Sequence, residues 1–273
     1  MATALITGGT SGIGAAFAQH LAAHGYDLVL VARNPDRLAT AAARLHANSG
    51  INVEIITADL ADRADVSRIA ARIEDIERPL DMVINNAGFG LHTPLTSTDS
   101  SRHEHAFDVM CRAVLVLGAA AGRSMRGRGG TIINISSLQT YLTTGSYASI
   151  KAWVTAFSES LSVELRGTGV TVTAVLPGWV RTEWHARAGV RRTSLPGFLW
   201  IEPDAVVRAA LRDARRGRAI SIPTVRYRIL GWFARHAPRP AIRWISSKIS
   251  SGRSDAAQPG EGSEPQVMKA DNS

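Results

Sequence analysis

The chain of 273 residues has only one cysteine, Cys111, and it lacks a long apolar run. A single cysteine excludes an intramolecular disulfide and fits a reducing compartment. The longest uncharged apolar stretch, 113–121, is shorter than the roughly 18 residues expected of a membrane-spanning helix. The N-terminus has neither the basic region nor the apolar core of a signal peptide. We therefore expect a cytoplasmic protein.

Acidic residues are absent from 214–254, which holds ten basic residues. The net charge of +8 is concentrated there, and the rest of the chain is close to neutral. Its segment 226–249 intersperses basic side chains with Tyr, Trp and Phe. This composition fits a subunit contact, or a helix packed on the domain with its basic face in water. The alternative is peripheral contact with an anionic membrane through 226–248. We expect no nucleic-acid partner, because no recognition motif accompanies the charge.

Strand and helix patterns alternate along the chain. Apolar runs such as 27–32 predict strands buried on both faces, and apolar residues at helical spacing follow them. Repeated strand–helix units predict an α/β fold, with a single Rossmann-like, doubly wound parallel sheet of six or seven strands and helices on both faces. Since no linker interrupts 1–250, we expect one domain. The composition of 251–273 predicts a disordered tail.

A glycine-rich loop lies between the first predicted strand and the first predicted helix. Gly8 permits a tight turn, Gly12 lets the backbone approach a pyrophosphate, and Gly14 lets the helix pack closely on the strand. The loop predicts dinucleotide binding. Taken alone, it leaves open a glycine-rich turn that binds no ligand.

Tyr147 and Lys151 are four residues apart and project from one face of a predicted helix. Reduction of a ketone leaves an alkoxide that needs a proton, and a phenol with a pKa of about 10 needs tuning for this task. We expect the Lys151 ammonium to lower the pKa of Tyr147 and to hold the nicotinamide ribose. Ser137, at the end of the fifth strand, is a candidate donor to the substrate oxygen. The alternative is an ordinary exposed helix pair.

In four motifs, which occur in the family's order, the chain resembles the short-chain dehydrogenase/reductase family. They are Thr-Gly-x-x-x-Gly-x-Gly at 7–14, Asn-Asn-Ala-Gly at 85–88, Tyr-x-x-x-Lys at 147–151 and Pro-Gly-x-Val-x-Thr at 177–182. The resemblance implies an oxidoreductase that transfers a hydride between nicotinamide and a ketone or secondary alcohol. Its catalytic residues would be Ser137, Tyr147 and Lys151, and it would form a homo-oligomer.

Arg33 stands at the end of the second predicted strand, where NAD-binding proteins place a carboxylate. A guanidinium suits the 2′-phosphate of NADP(H), so we predict that cofactor; the alternative is a solvated charge at a strand end. By resemblance, Asp59 and Leu60 lie against the adenine. No metal site is predicted. The predicted cofactor-binding residues are Gly8, Thr10, Ser11, Gly12, Ile13, Gly14, Arg33, Asp59, Leu60, Asn86, Ala87, Gly88, Tyr147, Lys151, Pro177, Gly178, Val180 and Thr182.

Two departures from the family pattern concern the catalytic residues. Met110 stands where the family has an asparagine that is thought to support a water relay to the lysine. Ser137 precedes Tyr147 by ten residues, fewer than is usual in the family, so Ser136 or Thr140 could take its role. These departures leave one alternative function open, a nucleotide-binding regulatory protein with little or no turnover.

Residues 183–203 follow the sixth predicted strand and are rich in Trp, Leu and Phe. We interpret them as a lid over an apolar pocket, with simple packing onto the domain as the alternative. An apolar pocket implies a lipophilic carbonyl or alcohol substrate. Together with the basic segment, it keeps open a membrane-surface 3-ketoacyl or steroid reductase.

Overall fold

Short apolar runs form a parallel sheet of seven strands. The structure is a computed structural model that describes residues 1–91, 93–181 and 197–254. The sheet order is β3-β2-β1-β4-β5-β6-β9, and its neighbouring strands are parallel. This confirms the predicted doubly wound fold. The strands, including the separate pair β7 and β8, are β1 (Thr3–Thr7), β2 (Asp27–Ala32), β3 (Val53–Thr57), β4 (Met82–Asn85), β5 (Gly130–Ile135), β6 (Val170–Val175), β7 (Trp179–Val180), β8 (Trp200–Ile201) and β9 (Ile220–Ser221).

Helices cover both faces of the sheet and divide the core into two apolar layers. They are α1 (Gly12–Ala23), α2 (Pro35–Ser49), α3 (Arg63–Ile73), α4 (Ser101–Phe107), α5 (Ala113–Met125), α6 (Ser146–Glu164), α7 (Pro203–Arg215), α8 (Val225–His236) and α9 (Arg239–Ser254). One layer holds Ile69, Leu117 and Leu161 of α3, α5 and α6. The other holds Phe17 and Val207 of α1 and α7. Burial on both faces of the sheet explains why 28–32 of the interior strand β2 is apolar throughout rather than alternating.

Helix α2 shows how local sequence sets an element's ends. Asn34 caps it by accepting from the Arg37 amide at 2.8 Å, and Pro35 supplies a preset φ at the first helical position. Gly50 ends the helix with φ +67°, a left-handed conformation that glycine adopts without a Cβ penalty. The sequence predicts this helix from Pro35 to about Asn48, so its predicted start is confirmed and its end differs by one residue.

The sequence predicts one long helix from about Ser100 to Met125. In the structure a π-helical turn, Asp108–Arg112, interrupts it between α4 and α5. By length and composition alone, Ser101–Met125 could cross a membrane. However, 61% of its apolar window is buried inside the protein, and α5 packs against α3 and α6. This is the pattern of a core helix.

The C-terminal region forms a helical hairpin of α8 and α9, two helices joined by a turn at Pro238. Helix α9 continues to Ser254, so the first residues of the predicted tail are helical. The remaining tail, 255–273, lies outside the described residues, as does 182–196, which contains most of the predicted lid. Of the lid, Trp200 and Ile201 form β8 and pair with β7.

Candidate active site

The carboxyl ends of six strands, β1 to β6, border one cavity of about 1080 Å³. The strand order reverses between β1 and β4, because the chain leaves β1 toward β2 and returns to β4 on the other side. A doubly wound sheet opens a crevice at such a switch point. Nearly all of the predicted cofactor-binding residues line this cavity. The exceptions are Gly14 and Thr182, and Thr182 lies outside the described residues.

The glycine loop follows the sequence-based interpretation closely. Gly8 and Gly12 have φ values of +68° and +56° and line the cavity. Gly14 acts differently, since a Cβ there would lie 2.3 Å from the Gly8 oxygen and 2.4 Å from Asn86 Nδ2. The absence of a Cβ at Gly14 therefore allows α1 to pack closely against the ends of β1 and β4, on the side of the glycine loop away from the cavity.

The N-terminus of α1 is open to an anion. Ser11 is the N-cap residue, and its side chain makes no capping hydrogen bond to the first turn. Thr10, Ser11, Gly12 and Ile13 all line the cavity. Uncapped amides and the positive end of the helix dipole favour a phosphate at this place. The loop therefore fits the pyrophosphate of a dinucleotide.

Thr7 and Asn86 join the ends of β1 and β4. The Thr7 hydroxyl accepts from the amides of Asn86 and Ala87 at 2.9 and 3.1 Å. In return, Asn86 Nδ2 donates to the Thr7 carbonyl at 2.9 Å. These bonds fix the loop that starts with the Asn-Asn-Ala-Gly motif against the glycine loop, so Ala87 and Gly88 reach the cavity.

The end of β2 carries positive charge to the cavity. Arg33 and Arg37 line it, and no carboxylate occupies the strand end that NAD-binding proteins use. Asp59 and Leu60, which follow β3, line the same part of the wall. Asp59 also accepts from the Ala61 amide at 2.9 Å, which closes the turn before α3.

Ser137, Tyr147 and Lys151 meet at the carboxyl end of β5. The Ser137 side chain interacts with Tyr147 in the sense that lowers the phenol's pKa, and its hydroxyl accepts from the Gln139 amide at 3.2 Å. Lys151 Nζ lies 5.6 Å from the Tyr147 ring centroid and donates to the Ile135 carbonyl at 2.9 Å. All three residues line the cavity, so the short spacing between Ser137 and Tyr147 still brings them into contact.

Ser136, the residue before Ser137, has a structural role. It is 2% exposed, and its hydroxyl contacts the Lys151 carbonyl and the Thr155 hydroxyl, each at 2.8 Å. It therefore ties β5 to α6 beneath the site. Thr140, the other candidate, is not among the residues that line the cavity.

Burial governs the acidity of the catalytic pair, and here the sequence-based expectation was wrong. Burial raises the pKa of Tyr147 to about 12, and the interaction with Ser137 offsets only part of this. Burial also lowers the pKa of Lys151 to about 8. A low-dielectric site penalises both the phenolate and the ammonium. The phenol therefore holds its proton at neutral pH and can donate it to an oxygen that gains negative charge.

The family model of short chain dehydrogenases matches residues 2–192, which include the glycine loop and the Ser137, Tyr147 and Lys151 cluster. The chain belongs to the short-chain dehydrogenase/reductase family. It is an oxidoreductase of the kind that interconverts alcohols and carbonyl compounds.

Relatives of this chain include other members of the family. An uncharacterized oxidoreductase of Staphylococcus saprophyticus is 32% identical over 194 residues, which are 67% of this chain and 83% of that protein. The very-long-chain 3-oxoacyl-CoA reductase of Anas platyrhynchos is 31% identical over 223 residues, which are 77% of this chain and 68% of that protein.

Solved structures that match almost the whole chain include two dehydrogenases. One is the short-chain dehydrogenase from Sphingobium yanoikuyae in complex with NADPH, with a TM-score of 0.77, 32% identity and coverage of 98% of this chain and all of that one. The other is the bulky-bulky ketone specific alcohol dehydrogenase from Comamonas testosteroni, with a TM-score of 0.73, 27% identity and coverage of 98% and 99%.

Met110 replaces the usual short-chain dehydrogenase asparagine with an apolar side chain. It is fully buried, and its sulfur lies 3.1 Å from the position that a Cβ on Gly88 would take. The same Cβ position is 3.6 Å from Lys151 Nζ, so Met110 packs beside the lysine. Burial by this neighbour adds to the desolvation of Lys151, and the Ile135 carbonyl provides the lysine's hydrogen-bond acceptor.

The sequence did not reveal that the C-terminal hairpin forms a wall of this cavity. Tyr227, Leu230, Phe233, Ile242 and Ile245 line it, together with Leu138 and Leu142 from the turn after β5. The feature of the sequence that could have indicated this wall is the set of apolar residues within the basic aromatic segment 226–248. A helix packed on the domain is one of the interpretations of this segment, but no local pattern places that helix beside the catalytic motifs.

Substitution of Ser137 should affect turnover, whereas substitution of its neighbour Ser136 should affect stability. Ser137→Ala should lower kcat for ketone reduction roughly 100-fold, because it removes a hydroxyl beside the phenol where negative charge develops. Ser136→Ala should instead lower the free energy of unfolding by about 1–2 kcal/mol, with kcat within about threefold of the parent, because it leaves buried partners unpaired. Urea unfolding and steady-state kinetics on both variants measure the difference. A catalytic defect in Ser136→Ala with normal turnover in Ser137→Ala would reverse the assignment.

Proposed function

We propose that the protein is an NADP(H)-dependent reductase of lipophilic ketones, or the dehydrogenase of the matching secondary alcohols. The observation that carries this is the placement of Arg33 and the Ser137, Tyr147 and Lys151 cluster on one cavity. Related structures support the cofactor, since the dehydrogenases from Sphingobium yanoikuyae and Burkholderia cenocepacia, the latter 29% identical, were solved with NADPH and NADP.

Tyr147, Ser137 and Lys151 each have a separate role in the proposed carbonyl reduction. NADPH, when bound, supplies the hydride. Tyr147 holds a proton at neutral pH and donates it to the substrate oxygen as that oxygen becomes negative. Ser137 provides a second hydrogen bond at the same oxygen. Lys151, fixed by the Ile135 carbonyl, positions the cofactor ribose beside Tyr147 and places a positive charge near the phenol.

An apolar wall supports a lipophilic substrate. The part of the cavity beyond Tyr147 is lined mainly by Leu138, Leu142, Leu230, Phe233, Ile242 and Ile245. Apolar walls with a few convergent polar groups bind apolar ligands and orient them at the polar end. The specificity of the Comamonas testosteroni enzyme for bulky-bulky ketones and of the Anas platyrhynchos relative for 3-oxoacyl-CoA agrees with this class. A 3-ketoacyl compound or a steroid is the narrower substrate hypothesis.

The proposed function is tested by oxidation of NADPH and NADH with a panel of lipophilic ketones. Tyr147→Phe should lower kcat roughly 100- to 10,000-fold without weakening NADPH binding, because it removes the transferred proton and keeps the ring. Cofactor fluorescence titration measures the binding. Tight NADPH binding without turnover of any ketone by the parent protein would favour the regulatory alternative.

Arg33 should set the preference between cofactors. Arg33→Ala should weaken NADPH binding roughly 10- to 100-fold, the value of one or two charge-assisted hydrogen bonds, and change NADH binding much less. Arg44→Ala is the matched control, since Arg44 is an exposed arginine of α2 that does not line the cavity. Equal losses for both cofactors in Arg33→Ala would show that Arg33 does not contact the 2′-phosphate.

The pKa of Lys151 predicts the pH dependence. The lysine is charged below its pKa of about 8 and loses its proton above it, whereas Tyr147 stays protonated up to about 12. The kcat/KM for NADPH, which reports the free enzyme, should therefore be level near neutral pH and fall as pH rises through about 8. A profile that stays level well above that pH would show that the Lys151 proton is not required.

A further inference from the structure

The α8–α9 hairpin has an inner face that is fixed to the body of the protein. Tyr227 is buried, donates to the Leu199 carbonyl at 2.6 Å and accepts from the Trp179 amide at 3.2 Å. In α9, Ile242 is buried and the Ser246 hydroxyl accepts from the Thr143 amide at 3.0 Å. The hairpin is therefore held against the loop between β5 and α6, beside the catalytic residues.

The outer face of the hairpin exposes large apolar side chains. Trp232, Phe233 and Trp244 are 57%, 61% and 66% exposed. In the described part of the chain, half of the exposed large apolar residues lie between 225 and 245. Monomeric proteins rarely expose apolar side chains in such a concentration unless the surface binds something.

The charge on this face is uniformly positive. Acidic residues are absent from 214–254. Among ion pairs between described residues, none involves Arg228, Arg235, Arg239 or Arg243. Arg228 donates to the Ile222 carbonyl, and the charge of Arg235 lies near enough to Tyr141 to lower that phenol's pKa, so Arg239 and Arg243 are the better candidates for an external anion.

The apolar face is continuous with the cavity. Leu230, Phe233 and Ile245 line the cavity and are also 51%, 61% and 41% exposed. They therefore form the rim of an opening between the α8–α9 surface and the site of Tyr147.

An anionic lipid surface matches both properties of the face. Indole and phenyl rings partition to the interface of a bilayer, and arginines attract anionic headgroups. A second copy docked by the same face would place positive charge against positive charge. A nucleic acid would neutralise the arginines but would leave aliphatic side chains such as Val225 and Ile229 without a partner.

We propose that the outer face of α8–α9 docks on anionic membranes and that Leu230, Phe233 and Ile245 admit a membrane-dissolved carbonyl substrate to the active site. The substrate part of this inference rests on the proposed function. The docking part does not, because it depends only on the charge and apolar exposure of the hairpin.

The docking part is tested by co-sedimentation of the full chain with phosphatidylcholine vesicles, with and without phosphatidylserine. The parent protein should sediment only with the anionic vesicles, and added salt should release it. Arg239→Glu/Arg243→Glu should weaken this binding about 30-fold or more, given the contribution of each basic residue near such a surface. Arg44→Glu/Arg63→Glu makes the same change in net charge on exposed arginines outside the hairpin and should bind as the parent does.

The substrate part is tested with two ketones, one soluble in water and one dissolved in the vesicles. Anionic vesicles should lower the apparent KM of the parent for the vesicle-borne ketone. The Arg239→Glu/Arg243→Glu variant should lose this effect and turn over the soluble ketone normally, since neither arginine lines the cavity. If anionic vesicles lowered the apparent KM for the vesicle-borne ketone equally in both proteins, substrate entry through the opening at Leu230, Phe233 and Ile245 would be overturned.

The outcomes separate this proposal from the proposed function. Sedimentation with anionic vesicles but no turnover of any ketone would count against the reductase and support docking. Turnover of the soluble ketone without sedimentation would overturn docking and leave the reductase intact. Docking would also be overturned if Arg239 and Arg243 proved to mediate binding to a DNA duplex, or dimerisation, with no sedimentation on lipid.

Discussion

The structure depends on the close contact between the carboxyl ends of β1 and β4. At that point Thr7 and Asn86 exchange hydrogen bonds, and Gly14 has no room for a Cβ. Two parallel strands that connect in opposite directions leave a crevice beyond their ends, and this contact fixes both of its walls. The glycine loop, the uncapped N-terminus of α1 and the start of the loop after β4 are all positioned by it.

Burial then determines the chemistry available at the other end of the crevice. Lys151 is buried beside Met110, and Tyr147 is partly buried against the same apolar layer. Desolvation disfavours the charged form of each group, so the phenol keeps its proton and the ammonium releases its own more easily. The apolar substitution at Met110 and the shortened Ser137–Tyr147 spacing leave the three catalytic groups together. Both departures from the family pattern are therefore compatible with oxidoreductase activity.

The C-terminal hairpin connects the catalytic residues to the surface. Its inner face closes the apolar part of the cavity through Tyr227 and Ile242, while its outer face carries the protein's concentrated positive charge. In our proposals, this one segment contributes both to substrate selection and to docking on the membrane from which the substrate arrives. These two proposed roles would account for the close alternation of basic and apolar residues in 226–248.

The sequence by itself determined the fold class, the glycine loop, the placement of Arg33 at a strand end and the Tyr147–Lys151 pair, because each is encoded within a few adjacent residues. Helix ends such as Asn34 and Gly50 are local for the same reason. Only the tertiary structure decided that the side chain beside Tyr147 is Ser137, with the Ser136 hydroxyl bonded to α6 instead, that burial outweighs Lys151 in setting the pKa of Tyr147, and that the hairpin lines the active site. These properties arise from desolvation and from contacts between segments up to about a hundred residues apart, such as Thr143 with Ser246, which no local pattern contains.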